Sequence, residues 1–399
     1  MKNTGSINTT MLLPLNNHYA LLALMLSPAL DNITINTLRS AIHNNHIIWV
    51  NLLQQAGVQR CTPLLFVRLN QYRLWSELPA PIQQIIQAAY QKNLQRNAVL
   101  QTELSALLAA FQHSGIESLL LKGAATFCDN LYGDPGARVM GDLDILVHPN
   151  DVEKCKKILT SQGYIVIPDP GMTFDGLATD MRHHQIPAYR HPTTKVIIEI
   201  HFNVSYGQAG RVIPTEQAWT NCLTTTLNGH TTSLLSTQDR LLLNTAHALL
   251  PKREFIRGEI ALLQLAEFSL LITERSEEIS WNGWANVAQL NHLETAFMTY
   301  LLMSHELMSI AWPLAWPVPT IAKNNYRRIQ ANTNENPALV KQHYRTRLQA
   351  DYYRYFYYYL RLPGWVWRNV CYAPGIKNLP ARVIQMVKVV FRGRSWTRI

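Results

Sequence analysis

Asp142 and Asp144 stand one residue apart in the apolar run Asp142-Leu143-Asp144-Ile145-Leu146-Val147. In a strand, side chains two apart point to the same face, roughly 6.5 Å apart. Two carboxylates on one buried face repel, and burying them is costly unless a cation or hydrogen bonds compensate. A divalent cation compensates directly, and hard oxygen donors favour Mg²⁺ or Mn²⁺ over zinc. Glu199 repeats the pattern, an acid in the middle of Val196-Ile197-Ile198-Glu199-Ile200-His201-Phe202. If that strand pairs beside the first, three carboxylates converge on one metal-binding patch. In the competing reading Asp142 caps the turn after Gly141 and Glu199 faces solvent. For a single acid that reading is the better one; for three acids in strands beside a glycine turn, the site is preferred.

Lys122-Gly123-Ala124 falls where a short apolar strand, Ile116 to Leu121, gives way to a helix expected over Ala124 to Leu131. Gly123 permits close backbone approach, and a helix start offers N–H groups and a positive dipole end to phosphate. Lys122 and Arg138 are the nearest basic residues for such phosphates, and a guanidinium can bind them in bidentate fashion. The alternatives are a solvated strand end for Lys122 and a salt bridge from Arg138 to Asp134 or Asp142. His201 shares the face of Glu199, either orienting it or simply packed. His183 and His184 lie between the strands, and His247 reads as a satisfied core histidine. No HExxH, GxSxG or Walker A spacing occurs, so zinc-protease, hydrolase and P-loop readings are weak.

These residues carry a resemblance. Leu120-Leu121-Lys122-Gly123-Ala124, Tyr132, Arg138, Gly141-Asp142-Leu143-Asp144-Ile145-Leu146-Val147, Gly163-Tyr164 and Ile198-Glu199-Ile200-His201-Phe202 together resemble the uncharacterised nucleotidyltransferase family of the DNA polymerase β-like superfamily. The shared pattern covers roughly 100 to 205, with similar helices to about 310. The resemblance implies a two-metal nucleotidyl transfer from a nucleoside triphosphate, expected to be ATP, to an unidentified acceptor. It assigns Mg²⁺ or Mn²⁺ binding and catalysis to Asp142, Asp144 and Glu199, and phosphate contact to Gly123 and Ala124. Two departures stand out. Ala124 lacks the hydroxyl usual in the second turn position, and 17 residues separate Ala124 from Asp142, a long gap for the superfamily.

Helical periodicity surrounds this segment. Apolar positions at spacings of three and four mark helices through residues 18 to 100, another over Thr102 to Gln112, and more beyond Gln238 up to Met308. Short strands fall at Asp142 to Val147, Tyr164 to Ile167 and within Lys195 to Val204. The expected architecture is α+β: a polymerase β-like core, a small mixed sheet with flanking helices, between N-terminal and C-terminal helical regions. The expected divisions are 1–100 (helical), 101–235 (nucleotidyltransferase core), 236–320 (helical) and 321–399 (basic, aromatic-rich tail).

The 399 residues carry a net charge of +10, but its placement is uneven. Residues 321–399 hold 15 Lys or Arg against Glu335 and Asp351, so the rest of the chain is slightly acidic. The tail also carries Tyr352-Tyr353-Arg354-Tyr355-Phe356-Tyr357-Tyr358-Tyr359. Such a composition suits an anionic membrane surface, nucleic acid, or rings packed on the body. No apolar run reaches the roughly 18 residues of a membrane span. Five cysteines without a CxxC fit a reducing compartment. The expected location is therefore cytoplasmic, with peripheral contact at the inner face of the membrane. A non-catalytic nucleotide-binding or membrane-surface protein that keeps the fold is the alternative to the enzyme.

Overall fold

The structure is a computed structural model, and it describes residues 13–168, 184–251 and 254–333. The chain begins with helices α1 (His18–Met25), α2 (Asn32–His43), α3 (Trp49–Val58) and α4 (Thr62–Gln71). Their starts follow local chemistry: Asp31 accepts the Thr34 N–H at 2.7 Å as the cap of α2, and Pro63 occupies the first turn of α4. Helix α5 (Ala80–His113) then runs unbroken for 34 residues. The sequence reading splits it near Thr102, where polar Gln101 and Thr102 interrupt the apolar stripe. No glycine or proline stands there to end a helix, and the ladder continues.

Strand β1 (Ser118–Leu120) follows, then a 3₁₀ turn (Lys122–Ala125) and α6 (Thr126–Asp129). The helix expected over Ala124 to Leu131 is thus shorter, because Asn130 turns left-handed at φ 49. Next come β2 (Leu143–Val147), α7 (Val152–Ser161), β3 (Ile165–Val166), β4 (Tyr189–Arg190) and β5 (Ile197–His201). After α8 (Gly207–Val212) and α9 (Thr215–Thr220) the chain forms a hairpin, β6 (Leu223–Leu227) and β7 (His230–Leu234). The remaining described helices are α10 (Thr237–Leu249), α11 (Glu254–Arg257), α12 (Leu262–Glu274), α13 (Trp281–Leu290), α14 (Glu294–Met308) and α15 (Thr320–Thr333). The described strands form one mixed sheet in the order β3-β4-β5-β2-β1-β7-β6. The α+β expectation agrees with this architecture.

Period-two alternation sorts the central strands between two cores. Leu143, Ile145, Val147, Ile198 and Ile200 join Leu100, Leu104, Leu107 and Phe111 of α5 and Val152 and Leu159 of α7 in one cluster. Leu119, Leu121 and Leu146 face the other way, into the cluster built by the N-terminal helices and by α10, α12 and α14. Asp144, Glu199 and His201 fall on this second face by strand parity. Helix α15 adds Ala322, Tyr326 and Ile329 to that cluster. Among the described residues no helix is long and apolar enough to cross a membrane. The run from Tyr352 to Tyr359, the rest of the tail past Thr333, and His183 lie outside the described residues.

Candidate functional site

Strands β2 and β5 pair in parallel with Asp144 opposite Glu199 and Leu146 opposite His201. Directly opposed residues share a face, so the register itself brings the two acids together. One donor atom from each of Asp144, Glu199 and His201 lies within 4.8 Å of the others. The His201 Nε2 is 3.0 Å from Asp144 Oδ1 and 3.7 Å from Glu199 Oε2. Lys122 donates from Nζ to the same Asp144 oxygen at 2.6 Å. Its backbone is left-handed at φ 46, which is uncommon for a residue with a side chain.

Charge around this patch is lopsided. Burial alone would raise the Asp144 pKa, but the Lys122 ammonium and the His201 imidazole hold it well below the carboxylate range. Asp142, just before β2, is pushed up to about 6 by burial and by the negative charges of Asp144 and Glu199. Burial opposes the charged forms of Lys122 and His201, yet the carboxylates raise both pKa values. Two further imidazoles border the patch. The His184 ring lies 4.9 Å from that of His201, and burial lowers its pKa to about 3. His247 meets the Gln264 amide at 2.7 Å, and burial lowers it to about 4.

The turn and the arginine lie beside the acids. A Cβ on Gly123 would overlap the Arg138 guanidinium and come within 2.8 Å of Met140 Cγ, so only glycine fits there. Ala124 is buried, and its N–H donates to Leu121 O at 3.1 Å. Arg138 pairs with neither Asp134 nor Asp142. Its Nε donates to Glu267 Oε2 on α12 at 2.8 Å, and Tyr132 donates to the same oxygen at 3.1 Å. Arg240 on α10 stands 3.6 Å from the other Glu267 oxygen and also pairs with Asp129. Burial would raise Glu267, but the two guanidiniums hold it down to about 2.

Helix α5 supplies positioning residues that the reading of the sequence does not single out. Asn93 donates to the carbonyls of Gly136 and Arg138 at 2.8 and 3.0 Å, and Asn97 to those of Pro135 and Arg138 at 2.7 and 2.9 Å. Arg96 reaches Met140 O and Gly141 O, each at 3.1 Å. Tyr90 donates to Asp134 at 3.0 Å, and its ring lies where a Cβ on Gly136 would be. The loop carrying Arg138 to Asp142 is therefore gripped from one helix face. The signal was present as polar residues at positions 93, 96 and 97, spaced to share a face amid apolar ones.

The carboxylates of Asp144 and Glu199, with Asp142 just before them in the chain, fit a hard divalent cation such as Mg²⁺ or Mn²⁺, whereas the His201 imidazole is a donor that softer transition metals prefer. The family described as uncharacterised nucleotidyltransferase matches residues 45–309. No curated protein matches the chain. Among solved structures, the crystal structure of an antigenic nucleotidyltransferase-like protein from Paracoccidioides brasiliensis is similar at 18% identity, covering 50% of this chain and 91% of that one with a TM-score of 0.30.

Proposed function

Because the chain belongs to the uncharacterised nucleotidyltransferase family, we propose that it transfers a nucleoside monophosphate from a triphosphate, ATP first among candidates, to an acceptor hydroxyl. The observation that carries this reading is the β2–β5 register, which sets Asp144 opposite Glu199 with His201 beside them. Asp142, Asp144 and Glu199 would hold Mg²⁺ or Mn²⁺. Bound there, one or two such cations lower the pKa of the acceptor hydroxyl and neutralise charge on the triphosphate and the departing pyrophosphate. The acceptor oxygen bonds to the α-phosphorus, the bond from that phosphorus to the bridging oxygen breaks, and pyrophosphate leaves while the hydroxyl proton passes to water. The chain's part is to position. Gly123 makes room for the Arg138 guanidinium beside the turn, and Ala124 lines it without a hydroxyl. Lys122 and Arg138 supply positive charge at its edge. Lys122 does so from a strained backbone, the kind of local cost that clusters at functional sites.

Calorimetry with a non-hydrolysable triphosphate tests the reading. Asp142→Asn and Asp144→Asn should each abolish Mg²⁺-dependent binding in a folded protein, and undiminished binding in both would refute the metal assignment. A second reading has its own support. Lys122 is already held by Asp144 and Arg138 by Glu267, and Ala124 has committed its N–H, which suits a nucleotide-binding protein without turnover. That reading expects triphosphate binding without pyrophosphate release. The proposal also keeps the protein cytoplasmic, the part of its 321–399 tail beyond α15 meeting anionic membrane, with nucleic acid as the rival partner of that part. Co-sedimentation with anionic liposomes that weakens with salt is the expected result.

A further inference from the structure

We propose that a basic cleft at the backbone leading into β2 and β5 binds a small polyanion, and that this compound is the acceptor. The second half rests on the nucleotidyl-transfer reading, and the first half does not. The cleft has a volume of about 580 Å³ and lies between the end of α3, the start of α4, the middle of α5 and the turn leading into β5. Arg60, Lys92, Arg96 and Lys195 line it, with no acidic residue and no aromatic ring. All four cations are exposed. Two of them reach only neutral backbone carbonyls, Arg96 those of Met140 and Gly141 and Lys195 that of Pro192. Four like charges around one cavity repel, and a ligand with several negative groups relieves that repulsion while accepting charge-assisted hydrogen bonds.

The size and the walls narrow the class. The volume falls within the range of about 300 to 1,000 Å³ typical of small-molecule sites. Proteins that bind single-stranded nucleic acid stack bases on aromatic rings, and this lining has none. The remaining surface is largely apolar, with Pro63, Val99 and Val139 among the walls. A short apolar body bearing two or more phosphate or carboxylate groups, and a hydroxyl to receive the nucleotidyl group, fits best. Placement ties the cleft to the chemistry. The carbonyls that Arg96 grips precede Asp142 directly, and Lys195 and Val196 lead into the strand that carries Glu199. An anion seated here lies beside the backbone entering both acid-bearing strands.

The test uses the full chain at low salt with EDTA, so that no metal-bound anion contributes. Calorimetry is run with inorganic pyrophosphate, with citrate and with a short oligodeoxythymidylate, on the wild type, on an Arg60→Gln/Lys92→Gln/Lys195→Gln variant and on Asp144→Asn. The expected result is binding of pyrophosphate or citrate that the triple variant weakens at least tenfold and Asp144→Asn leaves unchanged. The tighter of the two anions identifies the group. Should the triple variant fail to fold, Lys92→Gln alone, on the exposed face of α5, should weaken binding severalfold. Equal binding by wild type and triple variant overturns the cleft, because the basic tail is common to both. Tighter binding in Asp144→Asn also overturns it, since an anion on the acid patch gains from the loss of a carboxylate and the release of Lys122. Oligonucleotide bound more tightly than either anion, and lost in the triple variant, replaces the small molecule with nucleic acid. If the wild type shows no Mg²⁺-dependent nucleotide binding yet keeps triple-sensitive anion binding, the cleft stands and its role as the acceptor's seat falls.

Discussion

Where the loop meets α10 and α12, two guanidiniums, Arg138 and Arg240, face two carboxylates, Glu267 and Asp129. On β2 and β5, by contrast, three carboxylates face one ammonium, Lys122, and an imidazole. The first group is the more deeply withdrawn from water. Glu267 and Arg240 are buried, whereas beside buried Asp144 and His201 the side chains of Glu199 and Lys122 stay partly exposed. Desolvation therefore carries a cost for both groups, larger for the first. The first group repays it internally and behaves as a lock between the loop and the helices. The second leaves negative charge uncompensated, an imbalance that a bound divalent cation would offset. Their titration reflects the contrast, with Glu267 held down to about 2 and Asp142 pushed up to about 6.

The strongest way to break the contrast is to open the lock. Glu267→Gln strands the Arg138 guanidinium, Arg240 keeping Asp129, and should cost about 3 to 5 kcal/mol in denaturant unfolding at pH 7. A loss below about 1 kcal/mol would mean that the group is not a balanced ion cluster. The pH dependence sharpens the comparison, because the two acids contribute with opposite sign. Glu267, depressed from 4.5, adds stability that is complete above 4.5 and is lost as pH falls toward 2. Asp142, raised from 3.8, costs stability as pH climbs from 3.8 through about 6. In EDTA, Asp142→Asn should therefore stabilise the protein by at most about 3 kcal/mol at pH 8, a gain that vanishes near pH 4. A variant less stable than wild type at pH 8 would place Asp142 in a balanced environment after all.

Adding the missing charge is a gentler test. Mg²⁺ or Mn²⁺ at a hundredfold excess over its dissociation constant should stabilise the wild type by about 2.7 kcal/mol at pH 8 and Asp144→Asn not at all. Equal thermal shifts in the two proteins would move the cation elsewhere. The smallest effect belongs to Tyr132→Phe. It removes one hydrogen bond to Glu267 while Arg138 remains, so a loss of about 1 kcal/mol is expected in the same unfolding assay.

The acid-bearing strands were legible because a two-residue period in apolar surroundings leaves few alternatives for Asp144 and Glu199. The pairing of Glu199 with Asp144 followed from the assumption that the two strands are neighbours, which the sheet order supplies. The partner of Arg138 was not legible, since Glu267 lies 129 residues away and no local pattern links them. The β6–β7 hairpin has one strong local signal, the two-residue turn Asn228-Gly229, both at positive φ. Its strands, Leu-Thr-Thr-Thr-Leu and His-Thr-Thr-Ser-Leu, carry threonines in place of the apolar alternation that marks a strand. The grip of α5 on the loop was hidden for another reason: asparagines in a helix usually read as solvated.

Helix α5 also has a mechanical meaning. Thirty-four residues at 1.5 Å each make a strut about 51 Å long. Ile82 and Ile86 near one end pack in the N-terminal core, and Leu104, Leu107 and Phe111 near the other pack under the sheet. Past Pro81 it holds no proline or glycine at which to bend. Between the two anchorages Asn93, Arg96 and Asn97 clasp the backbone that leads to Asp142. A tilt of this strut would carry the backbone before Asp142 with it, so residues of α5 that lie outside the acid patch help to set where Asp142 stands.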